Sequence, residues 1–146
     1  MSKSAIARRP WFIMVPMVGT DSMKGQSMKY ICLIYNEPTL GPQPGTPEFG
    51  PYMDEYFSLG ERMKDVATVD GGEALQGVET ATSVRVRAGK VETMDGPFAE
   101  TREHLGGFYL IDAPNLEAAL TFAAGIPDAR TGTVELRPIM DLGAPA

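Results

Sequence analysis

Asp95 and His104 are the two side chains of this sequence best suited to proton transfer, and they bracket the run DGPFAETREH. An imidazole ordinarily titrates near pH 6.5, so it both gives and takes protons close to neutrality. A carboxylate hydrogen-bonded to it would orient the ring or act as acid or base itself. The two residues lie nine positions apart in sequence, which leaves their spatial separation open. Each also has a structural role available: Asp-Gly is a turn-forming dipeptide, and a lone histidine beside glutamates suits an exposed strand start.

Around this pair stand candidate ligand-binding residues. Pro97 stiffens the backbone that aims Phe98, and Arg102 flanks His104. Tyr35 and Tyr109, together with Tyr56, are aromatic positions able to line an apolar cleft, where a phenol would supply an orienting hydrogen bond. Arg137, like Arg85 and Arg87, is a strand guanidinium able to hold a carboxylate through paired hydrogen bonds. Together they imply a small anionic organic ligand. The competing assignments are core packing for the aromatics and wet strand faces for the arginines. Gly106 and Gly107 remove two side chains just before Phe108, leaving room for a ligand or for a packed neighbour.

Composition narrows the chemistry. The chain has 146 residues, 43% hydrophobic and 22% charged, with a formal net charge of −6, values ordinary for one globular domain. Without a basic run there is no electrostatic footprint for nucleic acid or for an anionic membrane. One cysteine, Cys32, and one histidine rule out an intrachain disulfide and a Cys/His zinc site within one chain. Cys32 sits in an apolar run, the setting of an inert buried thiol. No Walker loop, dinucleotide fingerprint or Gly-x-Ser-x-Gly elbow is present. The expectation is a reduced, cytoplasmic protein with no cofactor and no metal.

The elements that must position these residues follow from pattern. Tyr30–Tyr35 is an apolar run rich in β-formers, stopped by Asn36, Glu37 and Pro38, and predicts a central strand. Thr46-Pro47-Glu48 resembles a capped helix start, predicting a helix to about Val66 with Tyr52, Tyr56, Leu59 and Met63 on one face. Gly50 and Pro51 blur where that helix begins. Val69–Leu75 offers a short strand broken by Gly71 and Gly72. Val84 and Val86 alternate with Arg85 and Arg87, and Ala88-Gly89-Lys90 turns the chain back through Val91–Met94 in a hairpin. Leu105–Asp112 is an apolar strand. Pro114-Asn115 opens a second helix with Leu116, Ala119, Leu120 and Ala123 on one face, ended by Gly125 and Pro127. Thr133–Ile139 is a last strand, placed near an edge by Pro138.

This order predicts an α+β, ferredoxin-like βαββαβ fold with an added β-hairpin, its antiparallel sheet covered by two helices on one face. The other face then requires a cover, and a homodimer pairing two open sheet faces is the economical one.

Residues 1–27 differ in character. Lys3, Arg8 and Arg9 precede an apolar stretch from Trp11 to Val18 that is too short to span a bilayer. Broken by Pro16 and lacking an Ala-x-Ala-like site, it is a poor signal peptide. It is expected to be an N-terminal extension, either packing on the domain or a partner chain or lying upstream of a natural start at Met28. Residues 141–146 would be a short tail.

From Met28 to about Met140 the chain resembles the YCII-related proteins, in particular the DGPF-domain group. The resemblance rests on MKYICLIY, on TSVRVRAGKVETMDGPFAETREHLGGFYLID and on LEAALTFAAGIPDARTGTVELRPI. It implies a dimeric α+β barrel and an activity that is poorly defined across the family. Fold-level kinship with muconolactone isomerases and small monooxygenases, and the association of some members with extracytoplasmic-function sigma factors, are further implications of the resemblance. The His/Asp pair suggested as catalytic in the shorter YciI branch lies earlier in the chain. No histidine precedes His104 here, so that pair has no counterpart. Two functions follow: a proton-transfer enzyme using Asp95 and His104, or a non-catalytic dimeric module binding a metabolite or a regulatory protein.

Overall fold

The structure, a computed structural model, describes residues 27–143. Strand β1 (Met28–Asn36) is followed by helix α1 (Phe49–Arg62), strands β2 (Thr68–Ala74), β3 (Thr82–Arg87), β4 (Lys90–Asp95) and β5 (His104–Ala113), helix α2 (Leu116–Ala124) and strand β6 (Thr133–Pro138). Four strands form an open antiparallel sheet in the order β2-β5-β1-β6, and β3 and β4 form a separate two-stranded sheet. This is the ferredoxin-like strand order with an appended hairpin. The sheet is not closed into a barrel: β2 and β6 are its edges, and Pro138 ends the β6 edge strand, where its missing N–H is tolerated.

Alternation along β1 decides the layers. Tyr30, Cys32 and Ile34 are buried and meet Leu59 of α1, Ile111 and Ala113 of β5, and Ala119, Phe122 and Ala123 of α2 in one core. Ile31 and Leu33 point the other way, opposite Leu110 and Phe108 of β5 and Arg137 and Glu135 of β6. They are only half-buried, because both helices pack on the first face. Burial in the core raises the Cys32 thiol to about 12, so it stays protonated and inert.

Two helix details differ from the sequence pattern. Thr46 caps a turn rather than the helix, its hydroxyl donating to the Gln43 carbonyl at 2.6 Å. α1 begins at Phe49 with Pro51 inside its first turn, where backbone N–H groups have no helical partner and proline costs no hydrogen bond. It also ends at Arg62, short of Val66. In α2 the cap is as expected, Asn115 accepting from the Ala118 N–H at 2.9 Å. The buried stripe is Ala119, Phe122 and Ala123, however, while Leu116 and Leu120 are exposed. A single aromatic, Phe122, fills the space against β5, rotating the helix away from the leucines.

Two bulges bend the sheet where the site residues lie. Pairing steps from Ile34–Gly107 to Tyr35–Leu105, so Gly106 is an extra residue in β5. A second step, from Val69–Ile111 to Gly71–Leu110, leaves Asp70 extra in β2, and both Asp70 and Asp112 reach the Lys29 ammonium, at 3.3 and 2.7 Å. The expected extension 1–27 falls almost wholly outside the described residues, as do the last three residues of the tail.

Candidate functional site

The hairpin turn is built as its residues dictate. Ala88 and Gly89 both take positive φ, 51° and 76°, between paired Arg87 and Lys90, the backbone of a two-residue type I′ turn. At the other end, Asp95 closes β4 opposite Thr82, and Gly96 follows with φ of 93°. The Gly96 N–H donates to the Ala81 carbonyl at 2.7 Å, and the Ser83 hydroxyl donates to the Gly96 carbonyl at 2.8 Å. The DGPF turn is therefore tied to the start of β3. Pro97 and Phe98 project beyond it, with Phe98 77% exposed.

Between this turn, the chain that leads into β3 and the start of β5 lies a cleft of about 840 Å³. Tyr35, Phe98, His104 and Leu105 contribute to its walls, with Glu79, Glu100 and Glu103. His104 is paired with Asn36 in the sheet. Its Nδ1 is buried and has no hydrogen-bond partner among the described residues.

The other expected residues are distributed differently. Asp95 is exposed and is not among the residues lining the cleft. Arg102 is exposed and likewise outside its lining, and Arg137 turns to Glu135, its Nε donating at 3.0 Å. Arg85 and Arg87 lie with Glu92 and Met94 along a separate hollow of about 700 Å³ on the hairpin, which shares only Phe98 with the cleft. Tyr109 belongs to the helix-covered face, its ring stacked at 6.5 Å from Tyr56 and edge-on to Phe122 at 5.7 Å.

On that face stands a constellation whose centre the sequence pattern does not mark. Asp128, in the turn Pro127–Ala129 before β6, is 6% exposed. Its carboxylate accepts from the Tyr52 hydroxyl at 2.8 and 2.9 Å, from the Tyr56 hydroxyl at 2.7 Å and from the Asn36 amide at 3.5 Å. Burial, reinforced by the Asp128 charge, pushes both phenols far above their usual range, so both remain neutral donors. The helical spacing of Tyr52 and Tyr56 was the one available signal. Asp128 was hidden because it follows Pro127 in a turn, where an acid ordinarily faces water.

The YCII-related domain family matches residues 28–143. The chain belongs to that family. A curated relative, the uncharacterized protein R00369 of Rhizobium meliloti (strain 1021), is 34% identical over 114 residues, covering 77% of this chain and 92% of the relative. A solved structure, that of methylated RPA0582 protein, aligns over 90% of this chain and 93% of its own at 11% identity, with a TM-score of 0.37. The YCII match spans every element from β1 to β6, including the hairpin and the Asp128 turn. Among the described residues of this YCII chain, no helix is long and apolar enough to cross a membrane.

Proposed function

We propose that this YCII domain is a small enzyme that moves a proton on a small organic substrate, held in the cleft between the DGPF turn and the sheet, with His104 as acid and base. The observation that carries this reading is His104 in the wall of a cleft large enough for a metabolite, its Nδ1 buried and without a partner among the described residues. Small-molecule sites ordinarily enclose roughly 300–1,000 Å³. A buried polar atom without a partner is costly, and a catalytic role is one of the reasons such a group is retained. Asp95, outside the cleft lining, serves this reading by shaping the turn.

The lining also bears on ligand class. An anionic substrate was favoured by arginines, yet Arg102 and Arg137 are not among the residues of the cleft, whereas three glutamates are. Like charges raise the cost of bringing an anion in, so a neutral, enolisable carbonyl compound is the better substrate class. The test is deuterium uptake from D₂O into a panel of small neutral lactones and ketones. Uptake with the wild type and its loss in a folded His104→Gln variant is the expected result. Uptake that survives the substitution, or its absence from compounds shown to bind, would overturn the assignment.

A second reading, a non-catalytic module working as a homodimer, is supported by the hairpin. Val84, Val86 and Val91 are 65%, 58% and 69% exposed, and an isolated two-stranded sheet is marginally stable in water. A second copy laid against the open sheet face and the hairpin would cover both. Under this reading His104→Gln leaves ligand binding and dimerisation unchanged.

A further inference from the structure

We infer that the cavity beneath Asp128 is a second ligand site, distinct from the His104 cleft, and that it takes a small organic ammonium ion. The cavity measures about 320 Å³ and lies between α1 and the helix-covered face of the sheet. Tyr52, Tyr56, Tyr109, Asn36, Gly107 and Asp128 are among its lining residues, and no lysine, arginine or histidine is.

Charge balance makes the argument. A carboxylate taken out of water is strongly disfavoured unless a positive charge or a full set of donors compensates it. The donors that reach Asp128 are neutral: two phenols and one amide. No ion pair to Asp128 occurs among the described residues. The nearby cation, Arg130, is committed to Glu55, with nitrogen to oxygen distances of 2.7 and 3.3 Å. Among the described residues, then, Asp128 is a buried carboxylate hydrogen-bonded only by neutral donors, with Arg130 acting on it from a distance while paired to Glu55, and it stands at an opening large enough for a small molecule.

The walls fit the same ligand. Tyrosine rings offer negative π-faces, and aromatic side chains around a carboxylate are the chemistry that holds ammonium groups. Tyr52 and Tyr56 meet edge to face at 5.4 Å, and Tyr109 extends the aromatic wall beside Tyr56.

The probe is benzylammonium chloride, titrated into the intact chain near neutral pH by saturation-transfer NMR, with benzyl alcohol as the neutral molecule of nearly the same shape. Saturable binding at least about ten-fold tighter for the ammonium is expected, a difference of about 1.4 kcal/mol. Asp128→Asn, which keeps the shape and removes the charge, should abolish the preference, while His104→Gln should leave it intact. Equal affinity for the two probes, no binding of benzylammonium, or an undiminished preference in Asp128→Asn would overturn the inference. Should Asp128→Asn fail to fold, intermolecular NOEs from benzylammonium to the Tyr52 and Tyr109 rings of the wild type are the result expected, and NOEs to Phe98 of the His104 cleft instead would overturn the inference.

Discussion

The Tyr56 hydroxyl donates to the Asp128 carboxylate across 2.7 Å, joining the middle of α1 to the turn that launches β6, 72 residues further along the chain. This contact and the neighbouring one from Tyr52 fix the helix over the sheet at the end where the aromatic cavity opens.

Removing one hydroxyl from this cluster leaves a buried carboxylate with one donor fewer. Hydrogen bonds to charged groups contribute about 1.5–3 kcal/mol, and Tyr56→Phe is expected to lose that much in urea unfolding at neutral pH. Tyr52→Phe should act in the same direction, and the double variant should depart from additivity because both phenols share one acceptor. An additive double variant would show that the two phenols act independently.

The phenols also set an alkaline limit. All five tyrosines, Tyr30, Tyr35, Tyr52, Tyr56 and Tyr109, have their pKa raised above the ordinary 10.0, with burial the leading cause in each. Below pH 10 both folded and unfolded chains keep these protons, and the contribution to stability is whole. Above it the unfolded chain releases protons that the native state retains, so stability falls as pH rises. Urea midpoints should fall progressively as pH rises from about 10, less steeply in the Tyr52→Phe, Tyr56→Phe double variant. An unchanged slope would remove the two phenols as its source.

The two glycines of β5 should respond unequally. At Gly107 an added Cβ meets the Glu73 carbonyl oxygen at 2.8 Å, a backbone atom that cannot move alone. Gly107→Ala is expected to cost about 1–3 kcal/mol. At Gly106, the bulge residue, the nearest atom is Oδ1 of the Asn36 side chain at 3.4 Å, and Gly106→Ala should stay within about 0.5 kcal/mol. Equal costs in chemical denaturation would contradict the bulge geometry.

Ala88 holds a φ of 51° in the hairpin turn, a region that disfavours a residue with a Cβ. Ala88→Gly or Ala88→Asn should raise stability by about 0.5–1 kcal/mol. A loss of stability in thermal melting would mean the turn is not type I′.

If two copies cover one another's open sheet faces, Leu33 lies in the contact, between Phe108 and Glu135 on the neighbouring strands. The wild type should then sediment as a dimer and Leu33→Glu as a folded monomer, since a buried unpaired carboxylate is not tolerated in an apolar interface. A monomeric wild type would leave the face to some other cover.

Periodicity and turn chemistry were sufficient for the element order. The apolar, β-forming run Tyr30–Tyr35, the Asn115 cap, the Ala88-Gly89 turn and the Asp95-Gly96 turn are each signalled within a few residues, and each appears in the structure where local sequence placed it. α1 was less legible: a proline in the first helical turn reads locally like one just inside a cap, so Thr46 and Phe49 compete as starting points. The α2 leucines misled because helical spacing names several faces, and only packing of Phe122 against β5 selects one.

The site divides in the same way. His104, Phe98 and Tyr35 were legible because their chemistry belongs to single residues near a recognisable turn, and they do share a cleft. The sequence by itself determined the order and approximate placement of strands, helices and turns, since propensity, capping and turn chemistry act over a few positions. Only the tertiary structure decided that Tyr109 leaves the DGPF side for the helix-covered face, that the arginines stand apart from the His104 cleft, and that Asp128 is buried between two tyrosines of α1. These outcomes depend on which strand faces turn inward and on contacts between residues more than 70 positions apart, and no local pattern carries that information.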